Sequence, residues 1–393
     1  MSPARPAGEP PAAIGARSNA RIGLISSVEE ARNLRADWTD IIEAGGQPSP
    51  FLTWEWLFTW WHHYGNGRPG KQLAIVTARE GNTLSALLPG YVRTAGFTGA
   101  TLRSLHLLGT AGESSDDLDI PQREPTRDDL LPQLVAHAQQ TLAVDRICLG
   151  DVAEESALVA RVRALAEREG LPIAVYRTHT CPYLPVAGSW DDYLASRGRA
   201  FRQALRRRTR RFMERPGASF DWVELASELP AAVQDVFTLH ERRFARKRAR
   251  TGFVARRRGA FHLDVSRLML ERGALRLFRL RVEGRTIATL YCFAHASRLF
   301  YYQGGVDPEW ERESVGTVLM GQVVKYAFDQ GLVAFEFLRG TEAYKFKWTH
   351  RVRRLVRADL GVSRRGRVAV RLTSAYRSIQ SVAPNDRSAG LKN

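Results

Sequence analysis

A clear succession of hydrophobic and polar segments runs from Leu299 to Trp348. It opens with an aromatic and apolar stretch, Leu299 to Gly304, of the kind that forms a buried strand. A polar segment follows, and apolar residues then recur at helical spacing, at Val318, Leu319, Val323, Tyr326 and Ala327. Gly331 supplies the left-handed turn that ends many helices, and the residues after it alternate as a strand, at Val333, Phe335 and Phe337. The pattern predicts a strand, a loop, a helix and a strand in succession.

Both periodicities recur in the rest of the chain. Alternating or continuous apolar segments predict further strands at 73–79, 83–92, 275–282 and 286–295. Helical spacing predicts helices at 130–142 and 154–169. This mixture of elements indicates an α/β or α+β fold, with mixed sheets flanked by helices.

An aromatic segment near the N terminus has two interpretations. Phe51, Trp54, Leu57, Phe58 and Trp61 fall on one face of a predicted helix. The helix is either a stacking platform for bases or sugars, or an element buried between a sheet and a neighbouring domain. The second interpretation is favoured, because aromatic stripes at helical spacing are usually part of a core.

A weak internal repeat suggests that the chain contains two related halves. Residues 80–87, Glu-Gly-Asn-Thr-Leu-Ser-Ala-Leu, match residues 283–290, Glu-Gly-Arg-Thr-Ile-Ala-Thr-Leu, and both copies lie at a predicted hairpin turn. We therefore expect one domain at 21–178 and a second at 179–365. Residues 1–20 and 366–393 are expected to be a disordered leader and a partly disordered tail.

The charge of the chain is concentrated in two short segments. The formal net charge is +17, and segments 197–215 and 241–258 each hold nine basic residues and one glutamate. Such clusters indicate an anionic partner, or else solvated helix faces.

No apolar run approaches the roughly 18 residues that span a bilayer. The three cysteines are far apart and form no disulfide framework, which favours the cytoplasm, and no cluster has metal-ligand spacing, so no metal is expected.

Two motifs between Leu299 and Trp348 resemble a known family. Residues 314–319, Ser-Val-Gly-Thr-Val-Leu, and residues 335–345, Phe-Glu-Phe-Leu-Arg-Gly-Thr-Glu-Ala-Tyr-Lys, are similar to the CelD/BioF2-like acyltransferase domain of the GNAT superfamily, which is related to the FemAB peptidyltransferases. Val315 stands where the family usually has proline. The resemblance implies two tandem GNAT-like domains. The first half lacks the Ser-x-Gly helix start, so we expect it to be the degenerate copy and the second half to be catalytic.

The helix start at 314–317 is the predicted donor site. Amide groups at a helix N terminus attract anions, and a glycine there lets a phosphate approach closely. Ser314, Val315, Gly316 and Thr317 are therefore expected to hold the pyrophosphate of acetyl-CoA or another acyl-CoA. The alternative is an ordinary capped helix, with Ser314 as the cap.

The predicted catalytic residues lie mainly after the last strand of this unit. Glu342 is the candidate general base, Tyr344 the candidate proton donor to the leaving thiolate, and Lys345 a partner of phosphate or of Glu342. The alternative is a structural ion pair beneath a packed tyrosine. His240 is a further candidate, although a histidine on an apolar helix face is more often part of the core.

The predicted acceptor contacts are charged residues outside the motif. Arg206, Arg207 and Arg210 share one face of a helix, opposite its apolar face, and suit a phosphate or carboxylate. Asp307 is either a substrate contact or a turn former before Pro308.

The resemblance implies an acyl-CoA-dependent N- or O-acyltransferase that acts on a sugar or on a cell-envelope or exopolysaccharide precursor. The acceptor would be a small or sugar-linked molecule that is anionic in view of the arginines; peripheral membrane contact is compatible with the same charge. One alternative is a FemAB-like transferase that uses aminoacyl-tRNA. Another is a non-catalytic module that binds anionic polymers or lipid surfaces.

Overall fold

A computed structural model of the protein describes residues 20–97, 100–124, 127–246 and 256–382. Its strands are β1 Arg21–Ile25, β2 Lys71–Glu80, β3 Thr83–Phe97, β4 Ala100–Leu107, β5 Arg146–Ala153, β6 Ile173–Pro185, β7 Ala218–Trp222, β8 Leu275–Val282, β9 Arg285–His295, β10 Arg298–Val306, β11 Ala334–Glu336 and β12 Val352–Gly361. Its α-helices are α1 Val28–Asn33, α2 Arg35–Ala44, α3 Trp54–Tyr64, α4 Leu130–Leu142, α5 Ala157–Arg168, α6 Trp190–Ser196, α7 Arg199–Met213, α8 Leu229–Arg246, α9 Arg256–Glu271, α10 Val315–Asp329 and α11 Arg364–Val382.

All twelve strands form one mixed sheet in the order β1-β2-β3-β4-β5-β12-β6-β11-β10-β9-β8-β7. In each half, three antiparallel pairings are followed by one parallel pairing, which is β4 with β5 in the first half and β10 with β11 in the second. The eight-residue repeat lies at the corresponding turn of both halves, between β2 and β3 and between β8 and β9. The predicted fold class and tandem arrangement are confirmed.

Strand β6 joins the two halves into a single sheet. Its residues 173–182 pair with β12, and its residues 183–185 pair with β11. The predicted boundary between residues 178 and 179 falls inside this strand. Strand β12, near the end of the predicted second domain, pairs with β5 of the first half. The division into domains at 21–178 and 179–365 stays a prediction.

Helices cover both faces of the second half and create two cores. Alternate residues of β9 point to different cores, because successive side chains of a strand face opposite sides. Tyr291 and Phe293 join the core beneath α8 and α9, whereas Leu290 and Cys292 join the core beneath α10. Helix α7 packs on the outside of α10, where Leu205 lies against Gly321.

The aromatic helix α3 is part of the core that joins the halves. Trp56 and Trp60 are fully buried, and the ring of Trp56 contacts Phe261 of α9 and Phe293 of β9 at centroid distances of 5.2 and 5.6 Å. The indole N–H of Trp56 donates to Ser115 Oγ at 2.9 Å. The interpretation of this helix as a buried element is confirmed.

A buried arginine connects the carboxyl ends of the two parallel strand pairs. Arg339, in the segment after β11, pairs with Asp116, which lies between β4 and β5, and with Asp151 of β5 at 3.0 Å. The backbone N–H of Arg339 also donates to Asp116 Oδ2 at 2.7 Å. The next residue, Gly340, donates its N–H to the carbonyl of Thr180 on β6 at 3.0 Å. The two strand ends are therefore held against each other at the middle of the sheet.

Asp117 is the least well satisfied carboxylate of this junction. Its backbone is left-handed, with a φ of 54°, and its Oδ1 is buried without a hydrogen-bond partner among the described residues. Burial, with a smaller contribution from the charges of Asp116 and Glu336, raises the pKa of Asp117 to about 7. Since folding favours the protonated form, this group costs stability as the pH rises from its unfolded pKa towards its folded pKa.

We predict that Asp117→Asn stabilises the protein at pH 8 by about 1–3 kcal/mol, because the substitution removes an unsatisfied buried charge and asparagine tolerates the left-handed backbone. The gain should shrink at pH 5, where the wild-type carboxyl group is largely protonated. Urea unfolding at both pH values measures the difference. A gain that is equal or larger at pH 5 would show that ionisation of Asp117 does not cause it.

Candidate functional site

A cleft opens where the parallel strands β10 and β11 separate. The two strands pair only between residues 298–300 and 334–336, after which β10 continues to Val306 while β11 ends. The cleft has a volume of about 510 Å³. Its lining comes from β9, β10, the start of α10 and the 3₁₀ turn at 345–347: Thr289, Leu290, Tyr301, Gly304, Gly305, Val306, Pro308, Glu311, Ser314, Val315, Gly316, Thr317, Leu319, Met320, Tyr344, Lys347 and Trp348. All four predicted donor-site residues are among them.

The N terminus of α10 forms one wall of this cleft. Ser314 has a left-handed backbone, with φ of 57° and ψ of 35°, because it also ends the 3₁₀ helix Pro308–Glu313. Its side chain makes no capping hydrogen bond, which corrects the expectation that Ser314 caps the helix. The first turn of a helix leaves N–H groups without intrahelical acceptors. The amides of Val315 and Gly316 occupy that turn, so the helix presents an uncapped positive end to the cleft.

Glycines keep the walls of the cleft free of side chains. A Cβ atom at Gly316 would lie 3.0 Å from Val306 Cγ2, and one at Gly304 would lie 2.6 Å from the hydroxyl oxygen of Tyr301. Gly304, Gly305 and Tyr301 were not among the predicted site residues. The Gly-Gly pair within a predicted strand was the available signal, since glycine there often marks a close approach by a ligand.

Of the four predicted catalytic residues, Tyr344 lines the cleft. Its hydroxyl lies 3.3 Å from that of Tyr301, so two phenol groups meet at the cleft wall. Lys347 and Trp348 extend the same wall beyond the predicted motif. The ring of Trp348 in turn packs edge-on against Phe201 of α7 at 5.1 Å.

Lys345 and Glu342 form an ion pair beside the cleft, and neither is a lining residue. The buried ammonium group of Lys345 donates to the carbonyls of Leu338 at 3.3 Å, Arg339 at 2.8 Å and Gly340 at 3.5 Å. It also lies 3.0 Å from Glu342 Oε2, whose side chain is 56% exposed. Lys345 thus holds the segment between β11 and Tyr344 in place, and the catalytic roles of both residues stay predictions.

His240 and Asp307 are buried outside the lining of the cleft. His240 belongs to α8, on the opposite face of the sheet from α10, and its Nδ1 lies 2.7 Å from Gln303 Nε2. Asp307 Oδ1 accepts the N–H of Glu309 at 3.1 Å, and Oδ2 pairs with Arg285. Asp307 therefore has the geometry of a turn former, while a substrate contact stays a prediction.

The predicted acceptor arginines lie on the exposed face of α7. Arg206 is 3.3 Å from Asp191, and Arg210 is 3.9 Å from Glu214, with all four side chains exposed. Arg207 is also exposed. None of the three lines the cleft. Residues 247–255 of the second basic cluster lie outside the described residues.

A comparison with known families identifies the second half of the chain. Residues 199–346 match the family model of the acetyltransferase (GNAT) domain. These residues form a GNAT-type acetyltransferase domain. The protein is accordingly an enzyme of the acyltransferase class. The GNAT domain begins with α7 and ends at the 3₁₀ turn after Tyr344, so it contains the cleft except for Lys347 and Trp348.

Solved structures show that the fold extends beyond the GNAT domain. FemX has a TM-score of 0.59 at 11% identity, and the match covers 86% of this chain and 96% of FemX. The C-terminal domain of a putative lysylphosphatidylglycerol synthetase from Agrobacterium fabrum has a TM-score of 0.52 at 15% identity, covering 89% of this chain and 97% of that domain. No curated protein is significantly similar in sequence. At these identities the structures establish the shared fold alone.

Two further properties concern the described residues only. Their helices include none with both the length and the apolar character of a membrane span. Their histidine, cysteine, aspartate and glutamate side chains include no group of three that is arranged to hold a metal ion.

A pair of substitutions in the GNAT domain separates structural from catalytic roles. We predict that Lys345→Met destabilises the protein by about 2–4 kcal/mol, because buried carbonyl groups and Glu342 lose their partner. Glu342→Gln should change the free energy of unfolding by less than about 1 kcal/mol, because its ion pair is half exposed. Urea unfolding tests both values. Equal losses would contradict the assignment of Lys345 as the residue that holds this segment. A stable Glu342→Gln protein without turnover would support Glu342 as the general base.

Proposed function

We propose that the protein is an acyl-CoA-dependent N- or O-acyltransferase whose donor binds in the cleft lined by β9, β10 and the start of α10. The observation that carries this proposal is the uncapped N terminus of α10 in the wall of that cleft. Backbone amides of Val315 and Gly316 would hold the pyrophosphate, since helix N termini bind anions through their N–H groups, whereas the Thr317 N–H donates to the Ser314 carbonyl at 2.8 Å. The cleft volume of about 510 Å³ is within the range of ligand pockets.

The proposed reaction transfers the acyl group directly from the thioester to the acceptor. A nitrogen or oxygen atom of the acceptor attacks the carbonyl carbon and loses its proton to water, the C–S bond breaks, and the thiolate takes up a proton. Tyr344 is the proposed donor of that proton, because its hydroxyl lies in the cleft wall beside Tyr301. This acid role is better supported than a base role for Glu342 or His240, since neither of those lines the cleft.

The acceptor class rests on the sequence resemblance. We propose a sugar or a cell-envelope precursor as the acceptor, with an anionic group that the arginines of α7 could attract. The three cysteines are free and buried, which is compatible with the proposed cytoplasmic location.

An aminoacyl-tRNA donor is the second candidate. The exposed arginines of α7 favour it, because their ion pairs are solvent-exposed and leave the positive charge accessible to a phosphate backbone. The fold shared with FemX is compatible with this alternative.

We predict that Gly316→Leu weakens acetyl-CoA binding at least about tenfold, because the side chain would stand between the pyrophosphate and the first-turn amides. Gly259→Leu is the matched control, since Gly259 also lies in the first turn of a helix and a Cβ there meets nothing within 4 Å. Isothermal titration with acetyl-CoA and longer acyl-CoAs measures the dissociation constants.

Three outcomes of this titration are informative. Binding that is lost only in Gly316→Leu supports the donor site. Equal affinities in both variants would place the donor elsewhere. Absence of acyl-CoA binding to the wild type, together with tRNA binding that weakens steeply with salt, would replace the proposal with the aminoacyl-tRNA alternative.

Tyr344→Phe should lower kcat about 100-fold while leaving the dissociation constant of acetyl-CoA within a factor of about two, because a general acid typically contributes about 10²–10⁴-fold. Release of CoA thiol with a responsive acceptor is the assay. Tyr301→Phe is the comparison variant, as it removes the neighbouring hydroxyl. A larger loss of kcat in Tyr301→Phe than in Tyr344→Phe would show that the proton donor is Tyr301 and that the assignment to Tyr344 is wrong.

A further inference from the structure

The first half of the sheet contains a second cleft in the corresponding position. Strands β4 and β5 pair in parallel only at residues 104–106 and 146–148, and then separate. A cleft of about 190 Å³ lies at their carboxyl ends. It is lined by β3, β4, β5, β6, β12 and the loop after β4, through Tyr91, Arg93, His106, Thr110, Ala111, Gly150, Asp151, Thr178, His179 and Arg357. The proposed donor cleft opens at the equivalent pair, β10 and β11.

His106 is a buried polar side chain in the wall of this second cleft. It is 8% exposed and its ring is stacked on Tyr91 at a centroid distance of 5.4 Å. Neither ring nitrogen forms a hydrogen bond with any described residue. The ring nitrogens are not among the enclosed, unsatisfied polar atoms of the described residues, so they face the cleft, where a ligand could accept the ring N–H.

Cations surround this imidazole. Burial, followed by the charges of Arg357, Arg146, Arg93 and Lys71, lowers the pKa of His106 to about 3. The ring is therefore neutral at physiological pH, and the four nearby cations create a positive potential at its position. A neutral imidazole still carries one N–H donor.

The carboxylates beside the cleft are already paired. Asp151 lies 3.0 Å from Arg339, and Asp359 lies 2.8 Å from Nε of Arg357. Arg93, in contrast, is exposed and forms no ion pair with the described residues. An anion in the cleft would thus meet Arg93, the remaining donors of Arg357 and the N–H of His106.

We propose that the cleft at the carboxyl ends of β4 and β5 binds the carboxylate or phosphate group of a small ligand. His106 donates its ring N–H to the anion, and Arg93 and Arg357 supply the compensating charge. The volume of about 190 Å³ suits such a group with a small attached portion and is below the roughly 300 Å³ of drug-sized pockets. This proposal does not depend on acyl-CoA binding in the other cleft.

The test is isothermal titration with inorganic phosphate and with citrate, at constant ionic strength, in the full-length Gly316→Leu protein. That background removes the N terminus of α10 as a competing phosphate site. Arg93→Gln should weaken binding of at least one probe about five- to tenfold. Arg163→Gln is the matched control, because Arg163 is an exposed arginine of α5 outside the cleft and should leave the affinity unchanged.

His106→Leu provides a second measurement, with urea unfolding to establish that the variant is folded, because leucine has no N–H donor in its side chain. Weaker binding in a folded His106→Leu protein supports the proposal. No binding of either probe to the Gly316→Leu protein, or equal weakening by Arg93→Gln and Arg163→Gln, overturns it. If folded His106→Leu binds normally while Arg93→Gln does not, the anion is bound at the surface and the proposed cleft site is wrong.

Steady-state kinetics distinguish whether the anionic group belongs to the acceptor or to a separate effector molecule. If the group belongs to the acceptor, the bound probe competes with the acceptor and raises its apparent KM. If it belongs to a separate effector, the probe changes kcat at saturating acceptor. Both outcomes retain the site, and neither requires that the donor be acyl-CoA.

Discussion

The ion pairs of Arg339 are the constraint on which the arrangement of both clefts depends. One guanidinium group joins Asp116 and Asp151 of the first half to the segment that follows β11 of the second. Removing one member of a buried ion pair typically costs about 3–5 kcal/mol, because the remaining charge stays buried. The segment beyond Arg339 is then held by Lys345 and carries Tyr344 to the cleft wall. The position of the proposed acid is therefore set by contacts between the halves.

The two halves share a strand order but differ at the helix that connects the two parallel strands, which is α4 in the first half and α10 in the second. Helix α10 begins at an uncapped, left-handed serine directly in the cleft. Helix α4 begins after Asp128 and Asp129, which pair with Arg161 and Arg127 at 2.8 Å each, so ion pairs already occupy its N terminus. A pyrophosphate would accordingly be held by the second half alone. The first half keeps a smaller cleft lined by arginines, which suits a smaller anion.

The features that depend on residues close together in the sequence could be predicted from the sequence. The strands beside the two predicted hairpin turns, the duplication and the start of α10 at Val315 all follow from local periodicity and turn residues. The left-handed backbone of Ser314 could not be foreseen, because it also ends a 3₁₀ helix within a segment that was expected to be a loop. The pairing of Arg339 with Asp116 joins residues 223 positions apart, a separation at which no local pattern carries information. For the same reason, the exposure of Glu342 and the burial of Lys345 required the structure.

The most direct measurement for the central claim is a crystal structure of the protein with acetyl-CoA. We predict that the pyrophosphate contacts the amides of Val315 and Gly316, and that the thioester sulfur lies within hydrogen-bonding reach of the Tyr344 hydroxyl. Electron density for the pyrophosphate in the cleft between β4 and β5, or along the exposed face of α7, would contradict it.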